Sequence, residues 1–115
     1  ARQAAHPEPD EAQRRALIEK AKMTLPPKIE HYAALMGVHP TRVTITGART
    51  RFGSCSGRNA ISFSWRLMQY PEEAIDYVVV HELAHIRHHD HSAAFYRFIA
   101  SVMPDHEARR ALLRQ

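Results

Sequence analysis

A chain of 115 residues with an ordinary balance of apolar and charged side chains is enough for one globular core and too short for two. No apolar run reaches membrane-spanning length and no secretory pattern is present, so no membrane partner is expected; a net charge of +4 admits an acidic partner without requiring one. The one cysteine, Cys55, excludes an internal disulfide and a cysteine-rich structural metal site, and it suits a reducing, cytoplasmic setting.

In chain order, residues 1–10 are small, polar and proline-containing, and read as a flexible lead-in to a single domain over residues 11–115. Glu11 to Met23 reads as a helix with Leu17 and Ala21 one turn apart. Pro26 and Pro27 are expected to break it, because an internal proline removes a donor and clashes with the preceding turn. Lys28 to Met36 then reads as a second helix, with Ile29, Tyr32, Ala33 and Met36 at helical spacing and Gly37 as its stop. At Arg42 to Thr46 the pattern changes to alternation rich in β-branched residues, a strand. Thr50 to Phe52 reads as a second short strand, followed by a turn from Gly53 to Asn59. Ala60 to Trp65 alternates again, with Ile61, Phe63 and Trp65 facing inward and Ser62 and Ser64 on a polar outer face. Pro71 opens a helix with acids in its first turns and a core stripe of Ile75, Val79, Leu83 and Ile86. Ser92 can cap a further helix carrying Phe95, Phe98, Ile99 and Val102. After Pro104-Asp105, Ala108, Ala111, Leu112 and Leu113 suggest a short last one.

The Pro71 helix contains His81-Glu82-Leu83-Ala84-His85. Helical residues four apart lie ~40° apart around the axis and one turn along it, so both imidazoles can hold one zinc. Glu82 lies ~100° round from His81. It is poorly placed to join the same ligand set but can reach a water held by the metal, as the general base of a zinc hydrolase must. Nine histidines make a chance match easier, and a surface pair would look the same. The apolar helix favours the metal, because a buried imidazole and carboxylate need partners. A catalytic zinc usually has three protein ligands. His91 is far enough on for the chain to leave the helix and turn back, with His89 or Asp90 making the turn at positive φ, where His and Asp are enriched. His88 and His89 read as solvated or supporting residues, and Glu107 from a later helix is the alternative ligand.

Several separate segments resemble a family. Arg51-Phe52-Gly53-Ser54-Cys55-Ser56, Trp65-Arg66-Leu67, Ile75 through His85, His91-Ser92 with Phe95, and Met103-Pro104-Asp105 are similar to the YgjP-like metal-dependent hydrolases, which are related to the SprT and WLM proteases and to minimal gluzincins. The resemblance runs from about Leu25 to the C-terminus, with Phe52 standing where the family usually has Trp. It implies an α+β, zincin-like domain, with helices packed on a short three-stranded sheet and an active-site helix. It also implies zinc, one per chain, on His81, His85 and His91, with Glu82 as general base.

Three functions are weighed. The leading one is a zinc peptidase acting on a peptide or unfolded protein that adds as a strand to the sheet edge, with Arg51, Ser62 and Ser64 as candidate substrate-binding residues. Arg51 has a competing structural reading, preferred here, in which it pairs with an acid such as Asp76 and ties sheet to helix. The second is hydrolysis of nucleotides or phosphate esters held by Arg49, Arg51 and Arg58, without a Gly-rich phosphate loop to support it. The third is a non-enzymatic metal-binding or nucleic-acid-associated module, which would not require Glu82. Nucleic acid is at most an accessory partner, because the basic residues are not interleaved with aromatics for stacking. Ser54 and Cys55 read as a turn serine and a packed cysteine rather than nucleophiles. Tyr77 reads as core or support for the site, and Tyr96, His88 and His106 as possible donors to a transition state.

Overall fold

A computed structural model describes residues 7–114. Its elements are α1 (Glu11–Met36), β1 (Arg42–Thr46), β2 (Gly53–Cys55), β3 (Ala60–Ser64), α2 (Glu72–Arg87), α3 (Ala93–Val102) and α4 (His106–Ala111), with 3-10 turns at Trp65–Gln69 and Leu112–Arg114. The architecture is α+β: four helices against a three-stranded mixed sheet.

The expected break at Pro26-Pro27 does not occur; α1 runs through both prolines as one helix. Ala21, Leu25, Ile29, Ala33 and Met36 form one buried stripe along it. An internal proline costs about 3 kcal/mol, and burying a side chain of the size of Leu, Ile or Met returns about 1.5–3 kcal/mol, so the stripe offsets the prolines. Both prolines are exposed, as are Lys22 and Met23, whose carbonyls lose their helical partners and can turn to water. Asp10 caps the start in a reciprocal box with Gln13, and Gly37 ends the helix at φ 70. Of the lead-in, residues 1–6 lie outside the described part. From Pro7 to Asp10 the chain is tied down instead, with the Glu8 carboxylate 3.0 Å from two nitrogens of Arg66 and 3.3 Å from Arg49.

The strand order is β1-β3-β2, with β1 parallel and β2 antiparallel to β3. The second strand lies at Gly53–Cys55, three residues later than the expected Thr50 to Phe52. A tight turn explains the shift. The Asn59 amide donates to the Ser56 carbonyl, the Ser56 amide to the Ala60 carbonyl, and Ser56 Oγ accepts from the Arg58 and Ala60 amides. A loop closed within Ser56 to Asn59 places the pairing residues directly before it.

The polar outer face expected on β3 is not open to solvent at Ser64, which is 1% exposed. Its Oγ donates to the Ala48 carbonyl at 2.8 Å and accepts from the Arg66 amide at 3.1 Å. Trp65 leaves the strand and starts the 3-10 turn, still buried.

Helix α2 is the centre of the molecule. Ile75, Val79 and Leu83 are buried as expected, but so are Ala74, Tyr77, Val78, Val80 and Ala84, because other elements pack on several sides of it. Ile86 is only half-buried. Lys28 of α1 bridges Asp76 and Glu72, each at 2.6 Å, and Tyr32 Oη donates to Asp76 at 2.9 Å. Asp76 is therefore tied to α1 and not, as the preferred reading had it, to Arg51.

Candidate metal centre

Three imidazoles meet at the C-terminal half of α2. His81 and His85 stand one turn apart with ring centroids 5.0 Å apart, and His91 returns to within 5.8 Å of the first and 4.8 Å of the second. One ligand-capable atom from each lies within 4.8 Å of the others. The rings rest on Phe95, which is fully buried and stacks on His85 at 4.2 Å and 14°. Ser92 caps α3 by accepting from the Phe95 amide, which fixes that floor.

The chain turns back without the positive φ expected at His89 or Asp90; among the described residues Asn59 is the one non-glycine in that region. His88 instead leaves the helix in an extended conformation, φ −133 and ψ 101. Its carbonyl lies 2.9 Å from His85 Nδ1. A carbonyl only accepts, so Nδ1 carries the proton and Nε2 keeps the lone pair a metal needs. His81 Nδ1 is likewise held 3.2 Å from Tyr77 Oη. Burial, and then the neighbouring histidines and Arg110, push the His81 pKa down to about 4, and burial also lowers that of His85. Both are neutral at pH 7, the form that ligates. Three imidazole nitrogen donors without a thiolate suit zinc with a position left for water. Glu107, the alternative ligand, is exposed on α4 and outside this cluster.

Glu82 is 7% exposed and faces the same cleft. Burial raises its pKa to about 7, with the charge of Arg51 pulling the other way. Room for it comes from Gly53, which the sequence alone places in a turn. A Cβ on Gly53 would lie 2.8 Å from Glu82 Cγ and 3.1 Å from its Oε2. The available signal was a glycine beside β-type residues, which often marks a close backbone approach.

The cleft measures about 340 Å³, with Arg51, Gly53, Ser54 and Cys55 on one side and His89 among the remaining lining residues. His89, read as solvated or supporting, has Nε2 2.8 Å from Asn59 Oδ1, linking the loop after α2 to the β2–β3 turn. Ser62 and Ser64 are not brought to the cleft. Ser62 Oγ is 2.6 Å from Ser54 Oγ, and Ser64 is committed behind the sheet. Cys55 has its pKa raised by burial and then by Glu82, which opposes a nucleophilic thiolate. Among the remaining candidates, His88 packs on Phe98 at 5.9 Å, Tyr96 stands 6.3 Å from His91, and His106 is half-buried on α4.

Residues 2–115 match the family model described as YgjP-like, metallopeptidase domain. In three dimensions the chain is similar to the crystal structure of the metallopeptidase zymogen of Pyrococcus abyssi abylysin. The TM-score is 0.67 at 22% identity, over 76% of this chain and 89% of that one. No curated protein matches the chain.

Proposed function

The chain belongs to the YgjP-like metallopeptidase family, and on that footing we propose that it is a zinc-dependent peptidase acting on extended peptides or unfolded protein in a reducing cytoplasm. His81, His85 and His91 would hold one zinc per chain. The observation that carries the reading is the convergence of three imidazoles, with a ligand-capable atom of each within 4.8 Å of the others, beside a buried glutamate in an open cleft. When bound, zinc supplies Lewis acidity toward water and a substrate carbonyl. His85 is held in its ligating tautomer by the His88 carbonyl, and His81 is oriented by Tyr77. A carboxyl Oε of Glu82 accepts a proton from the attacking water and passes it to the leaving amine. Gly53 lets the β2 backbone approach Glu82 closely, so that the strand and the carboxylate line one cleft. Strand β2 is an edge of the sheet and lines the cleft, so an extended peptide can add to it through backbone hydrogen bonds.

A phosphate-ester substrate has less behind it. Arg49 pairs with Glu8, and of the three arginines considered Arg51 alone lines the cleft. The experiment pairs zinc content with turnover of an unstructured protein in wild type and Glu82→Gln. The variant should keep its zinc and lose about two to four orders of magnitude in rate. Full zinc with nearly full activity would remove Glu82 as the base.

A further inference from the structure

Arg51 is unlike its neighbours. Arg49 and Arg66 are both engaged with Glu8. Among the described residues the Arg51 side chain makes no hydrogen bond and no ion pair, yet it lines the cleft near enough to act on Glu82. A guanidinium has five donors in a fixed fork that matches a carboxylate.

Its backbone is held on both sides. Arg66 Nε donates to the Gly47 carbonyl at 3.2 Å, and Ser64 Oγ to the Ala48 carbonyl at 2.8 Å. Beyond Arg51, the Ser64 amide donates to the Phe52 carbonyl at 2.8 Å, and the Phe52 ring meets Tyr70 edge-on at 5.0 Å. An uncommitted cation on a backbone segment held in place is open to an incoming anion. It also has a defined reach. Gly53, which touches Glu82, is two residues on, and two residues span at most about 7 Å.

We propose that Arg51 is the carboxylate-binding residue of the cleft, so that preferred substrates carry an acidic side chain or a free C-terminal carboxylate within about two residues of the bond cut. This rests on the peptidase reading for its substrate class.

The test uses the zinc-loaded Glu82→Gln protein, so that binding is read without cleavage. The probes are fluorescein-labelled hexapeptides in which a single Glu is walked along a neutral background, their Gln counterparts, and each peptide with a free or amidated C-terminus. At the favoured position, Glu or a free terminus should tighten binding about tenfold or more, the scale of one charge-assisted hydrogen bond. The Glu arm and the free-terminus arm tell the two carboxylate sources apart. Adding Arg51→Gln should abolish the preference, and adding Arg51→Lys should restore part of it. Equal binding of acidic and neutral peptides, a preference that survives Arg51→Gln, or no binding of any probe would each overturn the proposal. Wild-type turnover separates the two readings. Cleavage without carboxylate preference sinks this one alone, and Arg51-dependent binding without any cleavage sinks the peptidase reading alone.

Discussion

A methyl group at position 53 has nowhere to go. Gly53→Ala would push on Glu82 Cγ and carboxyl together, and the backbone there belongs to a paired strand that cannot easily yield. Misplacing a catalytic group by about 1 Å can cost ~100-fold, so turnover should fall on that scale while zinc content and the far-ultraviolet circular dichroism stay near wild type. Unchanged activity would mean that Glu82 works from another rotamer. For the ligands, His91→Ala should lose far more zinc affinity than His88→Ala, measured by competition with a chromophoric chelator; the reverse order would reassign the third ligand. The pair His81 and His85, with Glu82 between them, was legible because helical spacing alone sets their geometry. The roles of Gly53 and His89 were not, and of the three substrate-binding candidates Arg51, Ser62 and Ser64 only Arg51 lines the cleft. Each depends on which strand crosses α2 and at what register, and neither is written in local periodicity. Arg51 and Asp76 looked like natural partners by charge, but Lys28 already holds Asp76 from another helix.

At the scale of elements, α1 shows tertiary packing overriding a local rule. Its apolar stripe was visible on either side of the prolines, at half-buried Leu17 and buried Ala21 and again at Ile29, Ala33 and Met36. What the local reading lacked was that both halves face one continuous core, with the prolines on the opposite side. This predicts that Pro27→Ala, which restores an amide toward the exposed Met23 carbonyl, stabilises the protein by about 1–2 kcal/mol, less than the full helix penalty because the unfolded chain regains freedom. Urea unfolding measures it, and a lower midpoint would show that the helix needs the proline's bend. Strands β1 and β3 were legible from alternation. Strand β2 was misplaced because its Gly-Ser-Cys composition reads as a turn, and only pairing with β3 makes it a strand.

For the whole molecule, the bond from Glu8 to Arg66 ties the start of the described chain to the end of the sheet across 58 residues. The hydrogen bond from Arg66 holds the Glu8 carboxyl below the ordinary glutamate value, with Arg49 and the charge of Arg66 helping and desolvation opposing. A lowered folded pKa gives stabilisation that is present above the unfolded value of about 4.3 and is lost as pH falls through the lower folded value. Arg66 also lies 4.4 Å over the ring of Trp65, the one tryptophan. Trp65 emission should therefore change as pH falls below the ordinary glutamate range, and Glu8→Gln should already show the acid-side signal at neutral pH. Identical pH profiles for the two proteins would show that the latch does not report on Glu8. The α+β class and central helix could be read before any coordinates, whereas this latch could not, because nothing local links a glutamate to an arginine so far along the chain.

Strand β2 is only three residues long and stands at the edge of its sheet. An edge of that length gives another copy of the chain very few backbone groups to pair with, so a groove left open beside β2 carries little risk of drawing a second copy onto that edge. On the peptidase reading, the same brevity would set a rhythm for turnover. A visiting peptide is gripped by few main-chain bonds, so cleaved fragments should leave quickly, and a segment already paired inside a folded protein would have no reason to exchange its own sheet for this one.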